Sequence, residues 1–170
     1  MSVKADWIAV DWGTSSLRAW AMNTEGQDLE TASSDQGMGQ LLQTEFEAVL
    51  CALIAPWLAD NIQTNVIACG MVGARQGWIE APYKPAPCKP LSTMTKAPTN
   101  DLRLNVQIIA GVSQAQPADV MRGEETQIAG LLYQSPNFGG TVCLPGTHTK
   151  WVRVADRAIT SFETCMTGEQ

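Results

Sequence analysis

The stretch Ile8-Ala-Val-Asp-Trp-Gly-Thr-Ser-Ser-Leu-Arg-Ala-Trp20 decides the predicted fold, because it contains two strands joined by a short turn. The apolar residues 7–10 predict a buried strand, and the alternating residues 17–22 predict a second strand. Between them, residues 11–16 form a tight turn of small and hydroxyl-bearing residues. Because Gly13 has no Cβ, an anion could approach the backbone of this turn closely.

Hydroxyl groups in the turn favour an anion site. Thr14, Ser15 and Ser16 place O–H donors beside several backbone N–H groups, and such a turn makes a small concave anion site. Asp11 cannot attract a phosphate itself, but its carboxylate can hold Mg²⁺, directly or through water, and the cation then bridges to the phosphate. An ordinary hairpin with an aspartate in its loop is the alternative that this stretch alone leaves open.

The same plan occurs again near the other end of the chain, in Val142-Cys-Leu-Pro-Gly-Thr-His-Thr-Lys-Trp-Val-Arg-Val154. There Gly146 and Thr147 take the places of Gly13 and Thr14, which suggests an internal duplication. Two such turns that face each other across a cleft would hold the two ends of a nucleotide's phosphate chain. His148, the single histidine of the chain, lies in the second turn and is a candidate donor to a phosphate oxygen, and Lys150 is a candidate for the same role.

Composition excludes several classes of protein. The 170 residues suffice for one ordinary domain, and the net charge of −6 with scattered basic residues argues against a nucleic-acid partner. There is no apolar run of the roughly 18 residues that a membrane span requires. The five cysteines form no CxxC or Cys/His cluster, so a zinc site is not expected, and they are typical of a reduced cytoplasmic protein.

The order of predicted elements indicates the fold class. After the first hairpin, a polar edge strand is predicted at residues 28–33 and a helix at 44–60, with Thr44 and Glu47 forming a capping box. A buried strand at residues 65–69 follows. Three strands, a helix and a strand are the order of a ribonuclease-H-like (actin-like ATPase) α/β lobe, with a mixed sheet and flanking helices.

The second half of the chain is predicted with less regular structure. Five prolines in residues 81–98 indicate an extended excursion over the surface, which is unsuited to helix and poor for strand. A strand is predicted within residues 102–112, ending at Gly111, and a helix at residues 124–133.

Four motifs in order resemble one family. They are IAVDWGTSSLRAW (8–20), GMVGARQGW (70–78), DVMRGEETQIAGLL (119–132) and LPGTHTKWV (144–152). The paired hairpins resemble the phosphate-binding loops of the sugar kinase, Hsp70 and actin superfamily, and the four motifs together resemble the 2-dehydro-3-deoxygalactonokinase family. The resemblance implies an ATP-dependent carbohydrate kinase that phosphorylates the terminal (6-) hydroxyl of 2-dehydro-3-deoxy-D-galactonate in galactonate catabolism.

The resemblance also implies where the catalytic base lies. Kinases of this superfamily place an acid at a helix N-terminus ahead of the second phosphate hairpin, and here Glu124 and Glu125 stand in that position. An acid within hydrogen-bond reach takes the proton of the attacking hydroxyl. Relatives usually carry Asp, so either glutamate could serve; Glu124 is favoured and Asp119 is the reserve. The alternative is that both glutamates only stabilise the first helical turn.

Binding roles follow from the same resemblance. Mg-ATP is expected between the hairpins, with Mg²⁺ near Asp11. The residues expected to hold its phosphates are Gly13, Thr14, Ser15, Gly146, Thr147 and His148. Arg75 and Arg122 are candidates for a bidentate pair with the substrate carboxylate, and the backbone at Gly37 is expected to contact the substrate. A surface arginine and a connecting loop are the plainer alternatives for Arg75 and Gly37, and Arg122 could instead offset the local negative charge.

The family's proteins are longer than this chain. We expect residues 1–136 to form the N-terminal, sugar-acid lobe and residues 137–170 to begin the second, nucleotide-binding lobe. Residues 162–170 are typical of a strand that runs into a helix start, so the chain is expected to be a fragment that is inactive alone. Its partners would be a sugar acid and ATP, without nucleic acid or membrane, and a homodimer is allowed. Alternatives on the same fold are a kinase for another sugar and a non-catalytic, nucleotide-dependent sugar sensor.

Overall fold

The protein is described by a computed structural model that covers residues 3–168. The strands are β1 (Trp7–Trp12), β2 (Leu17–Met22), β3 (Asp28–Ser34), β4 (Thr64–Cys69), β5 (Lys84–Pro85), β6 (Met94–Lys96), β7 (Leu104–Ile109), β8 (Val112–Ala115), β9 (Ala118–Met121), β10 (Gly140–Leu144), β11 (Thr149–Ala155) and β12 (Ala158–Cys165). The α-helices are α1 (Phe46–Ile54) and α2 (Glu124–Gln134). Within the described residues, no helix is long and apolar enough to cross a membrane.

The chain divides into two compact units. Unit 1 comprises Met1–Ala81 and Met94–Ile109, and unit 2 comprises Pro82–Thr93 and Ala110–Gln170. The excursion predicted for the proline-rich segment therefore has a structural function: it leaves unit 1, adds β5 to unit 2 and returns. The lobe boundary expected at residue 136 stays a prediction.

Unit 1 contains a six-stranded mixed sheet in the order β3-β2-β1-β4-β7-β6. The first three strands pair antiparallel, β4 and β7 run parallel to β1, and β6 pairs antiparallel with β7. This arrangement confirms the prediction of an α/β fold with a mixed sheet, and it places β3 at an edge as its polar sequence predicted. The carboxyl ends of β1 and β4 lie at one edge of the sheet, where Asp11 pairs with Cys69 in the register.

The core of unit 1 is built from the alternation of its strands. Ile8, Val10 and Trp12 are buried on one face of β1, and α1 covers that face with apolar residues that include Phe46. The Trp12 and Phe46 ring centroids lie 5.0 Å apart, and Trp78 stacks on Phe46 at 6.1 Å. This aromatic cluster lies directly below the first turn, because Trp12 is the last residue of β1.

The helix α1 is shorter than predicted, and the predicted capping box is wrong. Residue 45 is the N-cap and makes no side-chain capping bond. The Glu47 carboxylate instead accepts hydrogen bonds from the backbone N–H groups of Asn100 and Asp101, at 2.7 Å each. The helix gives way to a 3₁₀ turn at Ala55–Trp57 because Pro56 has no N–H and its ring obstructs the preceding helical turn.

Unit 2 contains two three-stranded sheets and α2. One sheet has the order β10-β11-β12, and the other has the order β5-β8-β9. Ile128 and Leu132 of α2 share a buried core with Val152 and Phe162 of the first sheet. The predicted strand within residues 102–112 is in fact divided: β7 ends in unit 1, and β8 begins in unit 2 after Gly111.

Each unit contains the same three-stranded meander with a Gly-Thr turn, which confirms the second hairpin and supports the predicted duplication. In unit 1, the Thr14 carbonyl accepts a hydrogen bond from the Gly39 N–H at 2.9 Å. In unit 2, the Thr147 carbonyl accepts one from the Gly168 N–H at 3.2 Å. In both, the donor follows the third strand and lies in the segment that packs on the turn.

These packing contacts require glycine. A Cβ on Gly37 would lie 2.3 Å from the Thr14 carbonyl oxygen, and a Cβ on Gly168 would lie 2.6 Å from the Thr147 Cα. The obstructing atoms are backbone, which cannot rotate away. Of residues 162–170, which were expected to run from a strand into a helix start, residues 162–165 belong to β12, and residues 169 and 170 lie outside the described residues.

Substitution of Gly37 by alanine is expected to destabilise unit 1, because the new methyl group would displace the Gly13–Ser16 turn. The free energy of unfolding should fall by about 1–3 kcal/mol, the usual cost of overpacking, in urea denaturation. Gly130→Ala is the matched control: a Cβ there meets nothing within 4 Å, and alanine suits the helix interior better by about 0.5–1 kcal/mol. Equal stability of Gly37→Ala and wild type would show that the turn tolerates a side chain here.

Candidate active site

The first turn offers unused donors to solvent. Its conformation is closed by a hydrogen bond from the Gly13 N–H to the Ser16 carbonyl at 2.9 Å. Thr14 and Ser15 are exposed, and neither their N–H groups nor their hydroxyls bond to another part of residues 3–168. The turn therefore presents a cluster of hydrogen-bond donors on a rigid backbone, which is the property that an anion site needs.

Asp11 lies within β1, whereas the sequence had suggested that it belongs to the turn. It lies directly opposite Arg18 of β2, and the two side chains form an ion pair. The pair is open to solvent, with 34% of the Asp11 side chain and 57% of the Arg18 side chain exposed. Arg18 was missed in the sequence, although its position across a short hairpin from Asp11 could have indicated it.

Asp11 could serve as one ligand of a cation whose other ligands are water and substrate phosphates. No group of three or more His, Cys, Asp or Glu side chains converges within the described residues. A single carboxylate is nevertheless enough for Mg²⁺, which usually keeps several waters and binds one or two carboxylates together with substrate phosphates.

The loop after β4 packs against this end of the sheet. Gly70 has φ of 93°, and a Cβ there would lie 2.8 Å from the Trp12 carbonyl oxygen and 3.4 Å from Asp11 Oδ1. Backbone hydrogen bonds hold the conformation of this loop; one of them runs from the Trp78 N–H to the Val72 carbonyl at 2.9 Å. Arg75 projects from it as an exposed side chain.

Gly37 has a packing role that the sequence did not indicate. Its N–H donates to the Asp35 carbonyl at 3.0 Å, and its own carbonyl accepts from the Gln40 N–H at 3.1 Å. The residue is buried, and it supports the first turn from below. Direct contact between Gly37 and a substrate stays a prediction.

In unit 2, residues 122–125 form a turn at the start of α2, which we call the acid-bearing turn. Gly123 is the N-cap residue with φ of 111°, a conformation that side chains disfavour. Glu124 and Glu125 follow as the first residues of the helix, as predicted. The Glu124 carboxylate accepts a hydrogen bond from the Arg122 N–H at 2.9 Å, and it is partly exposed.

The two glutamates have different environments. Glu125 is 0% exposed, and both of its carboxylate oxygens accept from the Gly123 N–H, at 3.0 and 2.8 Å. Burial raises the pKa of Glu125 to about 7, which outweighs the opposing effect of its backbone hydrogen bonds. Glu125 thus fixes the turn from inside, whereas Glu124 reaches solvent from the same turn.

Arg122 is held beside these acids by an aromatic ring. Its guanidinium carbon lies 4.3 Å from the centroid of the Tyr83 ring, within the range of a cation–π interaction. Its Nε and Nη1 atoms are buried. Tyr83 was not identified from the sequence, where it is one residue in the proline-rich excursion.

The second turn also presents exposed groups. Gly146, Thr147 and His148 are exposed, and the Thr149 hydroxyl lies within hydrogen-bond distance of the Gly146 carbonyl and of the Thr167 hydroxyl. The turn therefore keeps its backbone shape while its tip faces solvent.

Lys150 is not exposed at the second turn, although the sequence had suggested it as a phosphate contact. It is buried, and its Nζ donates to the Val120 carbonyl at 2.8 Å and to the Thr164 hydroxyl at 2.5 Å. Asp119 lies 3.7 Å from the same nitrogen and accepts from Thr164 at 2.7 Å. This network joins the base of the second turn to β9, the strand that leads into the acid-bearing turn.

Replacement of Glu125 by glutamine should change how stability depends on pH. The acid has a pKa of about 7 when folded against an ordinary value of 4.5, so its stabilising effect is full below pH 4.5 and is lost as pH rises through 7. Between pH 5 and 8, wild type should lose on the order of 3 kcal/mol relative to Glu125→Gln in urea denaturation. Glu163→Gln, an exposed substitution, should follow wild type; parallel curves for wild type and Glu125→Gln would contradict the assignment.

The chain is similar to curated proteins that are named as carbohydrate kinases. A curated Rhizobium meliloti (strain 1021) protein named "Probable 2-dehydro-3-deoxygalactonokinase" is 40% identical over 99% of this chain and 56% of its own length. The Escherichia coli (strain K12) 2-dehydro-3-deoxygalactonokinase is 38% identical over 97% of this chain and 55% of its own. The chain thus spans about half the length of the curated relatives it matches.

A solved structure and a family profile agree with these relatives. The crystal structure of a "putative 2-dehydro-3-deoxygalactonokinase" from Sinorhizobium meliloti superposes with a TM-score of 0.81 at 38% identity, over 96% of this chain and 54% of that one. The profile described as 2-keto-3-deoxy-galactonokinase matches residues 11–170, a range that includes both Gly-Thr turns and the acid-bearing turn. The chain belongs to the 2-keto-3-deoxy-galactonokinase family.

Proposed function

We propose that the protein containing this chain transfers the γ-phosphoryl group of ATP to the 6-hydroxyl of 2-dehydro-3-deoxy-D-galactonate. The observation that carries the proposal is the acid-bearing turn at the N-terminus of α2, which presents Glu124 to solvent while Glu125 is buried. The names of the relatives supply the substrate and the reaction class. Phosphoryl transfer depends mainly on positioning and charge stabilisation, and rigid turns are suited to both.

Glu124 is the proposed base. A base must reach the substrate hydroxyl, and the partly exposed carboxylate of Glu124 can do so from the edge of the helix. Glu125 has both oxygens on the Gly123 N–H inside the protein, so its proposed role is to fix the turn. Asp119, the reserve candidate, already accepts from Thr164 and lies beside Lys150, which favours a structural role for it.

The two Gly-Thr turns are the proposed phosphate contacts. Thr14 and Ser15 offer free N–H and hydroxyl donors in unit 1, and Gly146, Thr147 and His148 form the corresponding exposed turn in unit 2. Asp11 would hold Mg²⁺ together with water and phosphate oxygens. When bound, the cation neutralises charge on the phosphates.

The substrate carboxylate is assigned to arginine. Arg122 leaves the backbone two residues before Glu124, so the acid end of the substrate and the reacting hydroxyl would be recognised from one turn. Arg75, exposed on the loop after β4, is the second candidate for the carboxylate. Guanidinium groups suit this role because they bind carboxylates through two parallel hydrogen bonds.

The sheet of unit 1 supports a ribonuclease-H-like lobe. Three antiparallel strands in the order β3-β2-β1 continue into the parallel strands β4 and β7. We propose that this lobe and the beginning of a second one make up the chain, that the boundary lies near residue 136, and that the intact protein acts in the cytoplasm.

Loss of the Glu124 carboxylate should abolish most turnover. In the intact protein that contains this chain, Glu124→Gln is expected to lower kcat by roughly 10²–10⁴-fold, because the attacking hydroxyl loses its base. ADP release from Mg-ATP with 2-dehydro-3-deoxygalactonate measures the effect. Glu163→Gln, which is exposed on β12, is the control and should retain wild-type turnover.

The results separate the parts of this proposal. If wild type turns over and Glu124→Gln has a normal kcat, Glu124 is not the base, but the proposed kinase activity still holds. ATP binding by wild type without transfer to this acid would overturn the substrate, and a panel of other sugar acids would then be tested.

Removal of the Asp11 carboxylate should weaken the response to Mg²⁺. Asp11→Asn is expected to raise the Mg²⁺ concentration for half-maximal turnover by roughly 10–100-fold, the range seen when metal-supporting groups are lost. Asp28→Asn, exposed at the edge strand β3, is the matched control. An unchanged Mg²⁺ requirement in Asp11→Asn would exclude Asp11 from the metal site.

A further inference from the structure

Tyr83 lies where the chain crosses into unit 2, and its position is fixed by main-chain pairing. The next residues, Lys84–Pro85, form β5 and pair in parallel with Val112 and Ser113 of β8. The Lys84 N–H donates to the Gly111 carbonyl at 2.8 Å, and the Ala86 N–H donates to the Ser113 carbonyl at 2.7 Å. The backbone on the C-terminal side of Tyr83 is thus part of a hydrogen-bonded ladder.

The Tyr83 ring is also fixed by a glycine. A Cβ on Gly111 would lie 2.7 Å from Cε1 of Tyr83 and 2.8 Å from its Cδ1, so the ring occupies the space that a side chain would need. The same Cβ would lie 2.6 Å from the Met121 carbonyl oxygen, next to Arg122. Gly111 therefore allows the ring to approach the backbone from which the Arg122 side chain departs.

The ring is a platform for a cation. The Arg122 guanidinium carbon lies 4.3 Å from the Tyr83 centroid, and cation–π attraction is effective within about 6 Å. Arginine can stack on an aromatic face and still use its fork of donors at its edge, so stacking and carboxylate binding are compatible. Tyr83 keeps 38% of its surface exposed, and Arg122 is partly exposed with its Nε and Nη1 atoms buried.

We propose that Tyr83 is a positioning residue that orients the Arg122 guanidinium for the substrate carboxylate and so determines preference for sugar acids over neutral sugars. This inference rests on the proposed function, because it assigns the acid end of that substrate to Arg122. A flexible arginine loses rotamer freedom when it binds, and a ring that fixes the guanidinium beforehand removes part of that cost.

The proposal gives a specific pattern of kinetic changes in the intact protein. Tyr83→Leu should raise KM for 2-dehydro-3-deoxygalactonate by about 10-fold, while kcat and KM for ATP change less than two-fold. Tyr83→Phe retains the ring and should keep KM near the wild-type value. For the primary amide of the same substrate, which has no carboxylate, Tyr83→Leu and wild type should have similar KM values.

A double-variant measurement distinguishes orientation of Arg122 from a general structural effect. In an Arg122→Gln background, Tyr83→Leu should raise KM no further, because the group it orients is gone. An equal rise of KM in both backgrounds, a fall in kcat, or failure of Tyr83→Phe to restore KM would overturn the proposal. Thermal denaturation of each variant shows whether the fold is intact.

Binding measurements decide the question if turnover fails. Absence of phosphoryl transfer by wild type would remove the proposed function, but calorimetric binding of 2-dehydro-3-deoxygalactonate still tests Tyr83. About 10-fold weaker binding to Tyr83→Leu, restored in Tyr83→Phe, would support the positioning role without kinase activity. Equal binding to wild type and Tyr83→Leu, or no binding to either, would refute it.

Discussion

The first turn depends on a backbone contact that only glycine permits. Gly37 lies so close to the Thr14 carbonyl that a methyl group has no room, and Gly39 donates to that carbonyl from the same segment. Trp12 supports the arrangement from below, because its indole N–H donates to the Gln36 carbonyl at 3.0 Å. With its carbonyls engaged in this way, the turn directs its N–H and hydroxyl groups outward.

The acid-bearing turn is controlled by burial. Glu124 and Glu125 are adjacent and of the same chemical type, yet only Glu125 is enclosed, and desolvation makes its carboxyl a weaker acid. The positive φ of Gly123 turns the backbone so that its N–H can serve Glu125. One acid therefore shapes the turn, and the other is free to act at its surface.

Local patterns in the sequence predicted the two hairpins, β3, β4 and α2 well, because alternation and turn residues act over a few positions. The short strands β5, β6, β8 and β9 were not predicted. The capping box at Thr44 was wrong because Glu47 bonds to residues more than fifty positions away. Likewise, Lys150 looked like a phosphate ligand until the fold brought it to Asp119. The sequence could not predict which glutamate is buried and which reaches solvent, since this depends on which side chain the tertiary structure covers.

The paired meanders show which parts of a Gly-Thr turn must stay the same and which parts can differ. Because the glycines contact main-chain atoms of each turn, other side chains could drift without loss of shape, and Gly-Thr is almost all that the two turns still share. Counted from each glycine, Leu144 occupies the place of Asp11, and Trp151 occupies the place of Arg18. In the register, however, Leu144 lies opposite Lys150 and Trp151 lies opposite Cys143, so these positions hold no counterpart of the Asp11–Arg18 pair. The shape of the turn is repeated while its chemistry differs.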